Sequence, residues 1–294
     1  MRKVNDVVSA ALTRRNFLVG AGSAAALSAV GCKQGTFMAQ PVPVLPPQPT
    51  LTDMDYLNFA LNIEYLEASY YLMAATGSGL STADTGGTGK VTGGRQVIFD
   101  SALHQSYAIE LAQNELNHVR FLRNALGSSA VSMPAIDLQN SFNTAAAAAG
   151  IGSTFDPFSS QANFVLGAFL FEDVGVTAYR GAASWLSNKG NLAAAVGIMA
   201  VEAYHAAEIR LLVQQFGITD MANLFSTWRA SLSGGGEQPV TQLNITAADN
   251  TNALAFSRTP NQVLQILYAN SGGNVTSGGF FPSGLNGTIN TTNA

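Results

Sequence analysis

Between residues 52 and 217, apolar side chains recur every three or four positions over four long stretches, the period of a helix that buries one face. The first opens at Thr52-Asp53-Met54-Asp55, a helix start with an acid three residues on. It runs to about Ala75, where TGSGLSTADTGGTGKVTGG breaks it. The second extends from about Gln96 to Leu126 and stops at Gly127. Asp156-Pro157 reads as the N-cap and first helical position of a third, which reaches about Ser187. The fourth covers about 191–216 and ends at Gly217. Residues 127–155, with Pro134 and an alanine run closing at Gly150, form the long connection. Beyond the fourth stretch, Thr219-Asp220 and Thr259-Pro260 start two short helices, to about Leu232 and Ala269. The rest, rich in Gly, Asn and Thr, reads as loops ending in a mobile tail, and no strand pairing is expected. The pattern predicts an all-α fold: a four-helix bundle with one long crossover over 51–217, then a C-terminal extension of short helices and loops over 218–294.

Each of the four stripes carries one glutamate. Glu202 lies with Ile198, His205, Ile209 and Leu212; Glu115 lies with Ala108, Leu111, Ala112, His118, Val119 and Leu122. Glu172 shares a face with Val165, Ala168, Phe169, Val176 and Tyr179, and Glu64 with Leu57, Ala60, Leu61, Ala68 and Tyr71. A single glutamate on such a stripe reads as a boundary residue with its head in water, and a single E-x-x-H arises often by chance. The order Glu, E-x-x-H, Glu, E-x-x-H over four helices does not. A glutamate and a histidine three apart project to one side, so one helix offers an oxygen and a nitrogen to the same ion. Two such helices plus a glutamate from each of the others give the carboxylate–imidazole set of a dinuclear centre. Four carboxylates carry a charge that two divalent ions neutralise; without metal, some must be protonated or solvated. The donors suit iron, manganese or zinc, with no thiolate to bias the choice. The rival is a metal-free polar core network descended from such a site.

Neighbouring polar residues sort by angle and distance. Glu67, one turn after Glu64, is a ligand or a boundary residue, the latter favoured. Glu208 stands about 120° from Glu202 and is assigned to solvent or to a pair with Arg210 or Arg120. Glu110, about 140° off the Glu115 stripe, is read as solvated. His104 faces the same way as Glu115 but lies roughly 16 Å along the helix, too far for the same ions. Asp173 cannot share the face of Glu172; it is a candidate partner for a histidine ring nitrogen.

Composition changes the picture mainly at the N-terminus. The 294-residue chain is 47% hydrophobic and 11% charged with net charge −4. Without residues 1–31 it has 10 Lys+Arg against 17 Asp+Glu, or −7, which excludes a nucleic-acid footprint. Thr13–Leu18, TRRNFL, precedes the small apolar run VGAGSAAALSAVG, as in a secretory signal. The Arg14-Arg15 pair with Phe17-Leu18 resembles a twin-arginine signal, departing from it in having Val19 where a lysine is usual. Cys32, the only cysteine, excludes an intramolecular disulfide. It closes AVGC, which resembles a lipoprotein cleavage box. Lipidation at Cys32 or an inert thiol in a tail cleaved elsewhere are the two readings. Five prolines between Pro41 and Pro49 then make a semi-rigid spacer. The expected organisation is a signal over 1–32, a linker over 33–50, the bundle and the extension, in a protein exported to the periplasm or cell envelope.

The stretches NFALNIEYLEASYY, AQNELNHVRFL, FDPF…NFVLGAFLFEDVGVTAYRGAA and GIMAVEAYHAAEIR resemble the ferritin-like superfamily, and within it the ferritin-like, desiccation-related proteins of bacteria and plants. The resemblance covers about 51–217, and less firmly FSRTPNQVLQILY and GGFFPSGLNG. It implies a ferritin-like bundle with two iron or manganese ions held by Glu64, Glu115, His118, Glu172, Glu202 and His205. It supplies no firm substrate. A single cysteine excludes the four-cysteine iron site of rubrerythrin-like peroxidases, and the tether and extension argue against a storage cage. The expected partners are the metal ions with O2 or peroxide, a membrane through Cys32, and further copies of the chain in a homo-oligomer. The leading expectation is an exported redox protein, a di-metal oxidase, ferroxidase or peroxide consumer. The alternatives are a non-enzymatic envelope protein for stress or desiccation, its metal structural or absent, and a partner-binding scaffold.

Overall fold

The first bundle helix, α1 (Asp53–Thr76), starts on a reciprocal cap. The Thr52 backbone N–H donates to Asp55 Oδ2 at 2.7 Å, while the Thr52 side chain serves the first turn. It ends at Gly77, whose φ of 73° is the left-handed geometry a glycine supplies without strain. The computed structural model describes residues 50–87 and 89–293. The expected signal, Cys32 and nearly all of the proline spacer lie outside them. After α1 come α2 (Thr82–Thr85), β1 (Val91–Thr92), α3 (Ala102–Leu126), a 3-10 turn, β2 (Ile136–Asp137), α4 (Asn140–Ala149), α5 (Gln161–Ala183), α6 (Lys189–Gln215), α7 (Thr219–Ser233) and α8 (Pro260–Leu267). The fold is all-α, with α1 packed along α3 and α5 along α6. Residues 127–160 make the long crossover. α1 approaches α5 more closely than α3 approaches α6, so the bundle is less tightly closed along its α3–α6 side.

Several boundaries differ from the sequence expectation, each because other partners take the backbone groups. The second bundle helix begins at Ala102 rather than near Gln96: Val97 N–H donates to Ala74 O and the Gln96 side chain to Ala75 O, satisfying the carbonyls at the end of α1. Ser101 is the cap instead, accepting from His104 N–H at 3.2 Å. Asp156-Pro157 does not start α5. Asp156 Oδ1 accepts from Phe158 N–H in a turn and Oδ2 pairs with Arg95, so the cap falls to Ser160. The third helix also stops at Ala183, short of Ser187. The 127–155 connection contains α4, and β1 and β2 pair in parallel through Val91–Ile136 and Thr92–Asp137. The predicted short helices fall at α7 and α8, the latter with the Thr259 cap reciprocated by Gln262.

Single-stripe amphipathicity fails for two of the four bundle helices. α5 is buried at every position from Phe164 to Tyr179, and α1 at all positions but one from Tyr56 to Tyr71. Their outer faces are covered by the extension and α4. The C-terminal residues expected to be mobile are anchored by Phe280, Phe281, Leu285 and Ile289, all buried. Phe280 meets Phe171 and Phe142 edge to face, with centroids 4.9 and 5.2 Å apart. Asn286 exchanges two hydrogen bonds with the Asn62 side chain of α1, and Tyr268 donates to Asn290 O at 2.8 Å.

A second seam joins the extension to α5 and α6. Asp173 Oδ2 accepts from Arg210 at 2.9 Å and from Arg229 at 3.0 Å, and Glu237 accepts from Arg229 and Arg258. All five residues are buried or nearly so, and Arg258 also donates to the Thr177 hydroxyl. Asp173 therefore serves guanidinium groups and not a histidine ring.

If the tail is part of the core, Phe280→Ala should lower the unfolding free energy by about 3–5 kcal/mol in denaturant melts, as for other buried phenylalanines. A change under about 1 kcal/mol would return the tail to the periphery.

Candidate metal centre

The four glutamates and two histidines expected from the stripes converge in the middle of the bundle. Glu64, Glu115, His118 and Glu202 offer one ligand atom each within 4.8 Å of one another, and Glu115, Glu172 and His205 form a second such group. Glu115 belongs to both and so stands between two positions. Both imidazoles turn Nδ1 inward. His118 Nδ1 lies 3.2 Å from Glu64, 3.3 Å from Glu202 and 3.4 Å from Glu115. His205 Nδ1 lies 3.0 Å from Glu115 and 3.6 Å from Glu172. The rings themselves are 6.4 Å apart.

Two tyrosines lock the outer carboxylates. Tyr71 of α1 donates its O–H to Glu172 of α5, and Tyr179 of α5 donates to Glu64 of α1. Burial and the adjacent carboxylates push both phenols well above their ordinary range, which keeps them protonated as donors. On the α3–α6 side, the Asn114 amide faces His205 Nε2 at 3.2 Å. With Nδ1 turned to the carboxylates as a ligand atom, Nε2 carries the proton. The amide end it meets is then the oxygen, since either end of an asparagine can be turned to a partner.

The electrostatics are those of a site short of positive charge. Unpaired, buried oxygens remain on Glu64, Glu115, Glu172, Glu202 and Glu67, and His205 Nδ1 also lacks a hydrogen bond. Buried polar atoms in folded proteins nearly always have partners, so this concentration calls for a cation. Burial, reinforced by Glu64, pushes Glu115 up to about 8; burial and Glu115 do the same to Glu202. Burial also raises Glu172, against the pull of His205. For Glu64, burial is the largest effect and raises its carboxyl, but the charge of His118 together with hydrogen bonds from His118, Glu115 and Tyr179 outweighs it and holds the carboxyl below the usual range. His118 is raised in turn: burial opposes its charge, but the charge of Glu64 and the hydrogen bonds His118 donates to Glu115, Glu202 and Glu64 prevail. The oxygen and imidazole donors fit iron, manganese or zinc, and no sulfur competes.

Some neighbours lie elsewhere than expected. Glu67 is not a boundary residue: it is 1% exposed, with neither oxygen bonded. Glu208 and Glu110 are exposed, and neither expected arginine pairs with Glu208, because Arg210 serves Asp173 and Arg120 serves Asp84. His104 stays outside the cluster, with Nδ1 against Gln161. Asn114 and the hydroxyl roles of Tyr71 and Tyr179 were not read as part of the site, and Glu67 was given as a ligand only as the less favoured reading. The tyrosines had a signal, each sitting on the glutamate stripe two turns after its glutamate. Asn114 had none, because adjacency to Glu115 does not reveal which groove of the bundle it enters.

Comparison with known proteins gives a match to the ferritin-like domain over residues 52–215. The chain is 25% identical over 264 residues to ferritin-like catalase Nec2 of Nesocodon mauritianus, covering 81% of this chain and 84% of that one. It is 30% identical over 245 residues to desiccation-related protein PCC13-62 of Craterostigma plantagineum, covering 72% and 76%. Both alignments take in more of the chain than the matched domain.

The raised carboxyls set the pH behaviour of metal-free protein. The unfolded chain gives up these protons near 4.5, while the folded chain holds those of Glu115 and Glu202 to about 8. The folded state binds more protons in that window, so its stability falls as pH rises from 4.5 to 8. His118, raised, acts in the same direction. Melting temperatures of chelator-treated protein should drop across this range, and a Glu115→Gln/Glu202→Gln variant should show a flatter slope. Equal slopes would mean that these carboxyls do not hold their protons.

Proposed function

The chain belongs to the ferritin-like domain family, and from that premise we propose that it is an exported redox protein whose buried donor set holds two iron or manganese ions and consumes peroxide or O2. The observation that carries this reading is the cluster of unpaired, inward-facing carboxylate oxygens around two imidazole Nδ1 atoms. Glu64, Glu115, His118 and Glu202 would hold one ion, and Glu115, Glu172 and His205 the other. A pair of such ions, when bound, supplies two-electron redox chemistry that the side chains cannot. Among small oxidants peroxide is favoured, because one relative is named a ferritin-like catalase.

The residues of this chain then do the remaining work. Tyr71 and Tyr179 fix the rotamers of Glu172 and Glu64 across the bundle. Asn114 orients His205 through the nitrogen that faces away from the carboxylates, the outer hydrogen bond that holds a ligating imidazole in one tautomer. Glu115 and Glu202 are closed to solvent, whereas 11% of the His118 side chain is open. A molecule the size of peroxide would approach past that edge of His118.

The N-terminal sequence supports export. TRRNFL suits a pathway that carries folded protein, which allows metal loading before transfer. Cys32 and the proline run would then tether the bundle away from a membrane.

Protein purified without chelators should carry about two iron or manganese ions per chain. Glu115→Ala/Glu202→Ala should lose them together with peroxide-dependent oxygen release at an oxygen electrode. A folded wild type with no transition metal would overturn the dinuclear reading. Two ions in a protein inert to both oxidants would instead favour a structural metal in a stress or desiccation protein, the role suggested by the name of the second relative.

A further inference from the structure

Glu67 has no place in the six-residue set, yet it is the least compensated charge in the bundle. It is buried on α1, one turn after Glu64, and neither of its oxygens has a hydrogen-bond partner. Its electrostatic neighbours are Glu202, Glu115, Glu64 and Glu172, all of the same sign.

The arrangement of the four helices shows why this position is special. α3 and α6 match: each has a glutamate followed after three residues by a histidine, Glu115/His118 and Glu202/His205. α1 and α5 also match: each has a glutamate followed after seven residues by a tyrosine, Glu64/Tyr71 and Glu172/Tyr179. Each tyrosine donates to the other helix's glutamate. The correspondence breaks at the third residue after the α1 and α5 glutamates, which is Glu67 on α1 and Gly175 on α5. The glycine makes room for the exception. A Cβ at position 175 would collide with Glu202 Oε2 and stand 3.3 Å from Glu67 Oε1. Glu67 and Glu202 thus share the space that a side chain on α5 would otherwise fill.

We propose that Glu67 is a seventh protein ligand of the dinuclear centre, seated beside Glu202 over Gly175. The proposal rests on the metal reading above and goes beyond it in number, charge and symmetry. Five carboxylates outweigh two divalent ions by one negative charge, so this set favours a pair carrying more than four positive charges, an oxidised pair. It also makes the two metal positions unequal, since the extra carboxylate is on one side only. The competing arrangement is a proton shared between Glu67 and Glu202, in which Glu67 is a neutral donor and no ligand.

Glutamine separates the two, because it keeps a donor toward Glu202 but cannot supply an anionic oxygen. Full-length wild type, Glu67→Gln and Glu67→Asp would be stripped and titrated with manganese(II) alone against a competing chelator, with melting temperatures taken before and after. The ligand role predicts that Glu67→Gln weakens at least one manganese site on the order of tenfold or more, as loss of metal-site interactions does. It also predicts a higher melting temperature for the stripped Gln variant, a smaller rise on adding metal, and partial recovery of affinity in Glu67→Asp. Wild-type affinity at both sites in Glu67→Gln, with an unchanged stripped-state melting temperature, would overturn the proposal in favour of the shared proton. Failure of the wild type itself to take up metal would overturn the dinuclear reading beneath it, an outcome visible without any variant.

Discussion

The structure turns on one electrostatic constraint: five glutamates share the interior of a four-helix bundle, and among the described residues no Lys or Arg pairs with them there. Like charges at this spacing in a poorly polarisable interior repel strongly unless protonated or neutralised. The fold does not relieve the repulsion by turning the heads to water, since each of the five is at most 1% exposed. It does the opposite. The extension and α4 bury α1 and α5 on every side, and the cross-helix tyrosines pin two of the carboxylates in place. The packing holds the five carboxyl groups together in an arrangement that a cation could neutralise.

The second buried charge cluster shows that this is not careless pairing. At Asp173 and Glu237 the same chain buries carboxylates and meets them with Arg210, Arg229 and Arg258, most of whose remaining donors go to backbone carbonyls and the Thr177 and Ser233 hydroxyls, Arg229 Nε being left without a partner. Arg229 also lies 4.7 Å above the Phe169 ring. Such a network is close to self-sufficient and serves to hold the extension against α5 and α6. Asp173 and Glu172 are adjacent in sequence yet face these two environments, one filled with guanidinium and one without. A helix face is enough to separate structural charge from charge left for a ligand.

Much of this was legible in the sequence because the helical period carries angular information. The stripes placed Glu64, Glu115, His118, Glu172, Glu202 and His205 on four inward faces, and the structure brings all six together. The same period placed Glu110 and His104 outside the cluster. What it could not supply was depth. Glu67 reads as a boundary residue only if its head reaches water; it instead lies with Glu202 at Gly175, while Asn286, more than two hundred positions away, closes another face of α1 at Asn62. Polar composition made the C-terminal residues look mobile, although four apolar anchors among the glycines and asparagines hold them down. Helix starts at Gln96 and Asp156 failed for a related reason: their backbone and side-chain groups found partners in α1 and Arg95, which local rules do not see.

The matched halves of the bundle give a final constraint on how such a centre can be made selective. Paired E-x-x-H helices and paired Glu/Tyr helices would by themselves create two equivalent positions. The chain departs from equivalence on both sides of the cluster at once. On the α1–α5 side, Glu67 faces Gly175 in place of a like residue. On the α3–α6 side, Asn114 meets the ring of His205, while the His118 ring is the one with an edge toward solvent. Glu67 adds a buried carboxylate, and the His118 ring keeps a partly open edge. Glu202 and His118 belong to the same donor group, so the added carboxylate and the exposed ring edge both set that position apart from the one at Glu172 and His205. An unequal pair of this kind gives its two positions different charge and different exposure, which matched helices alone would not.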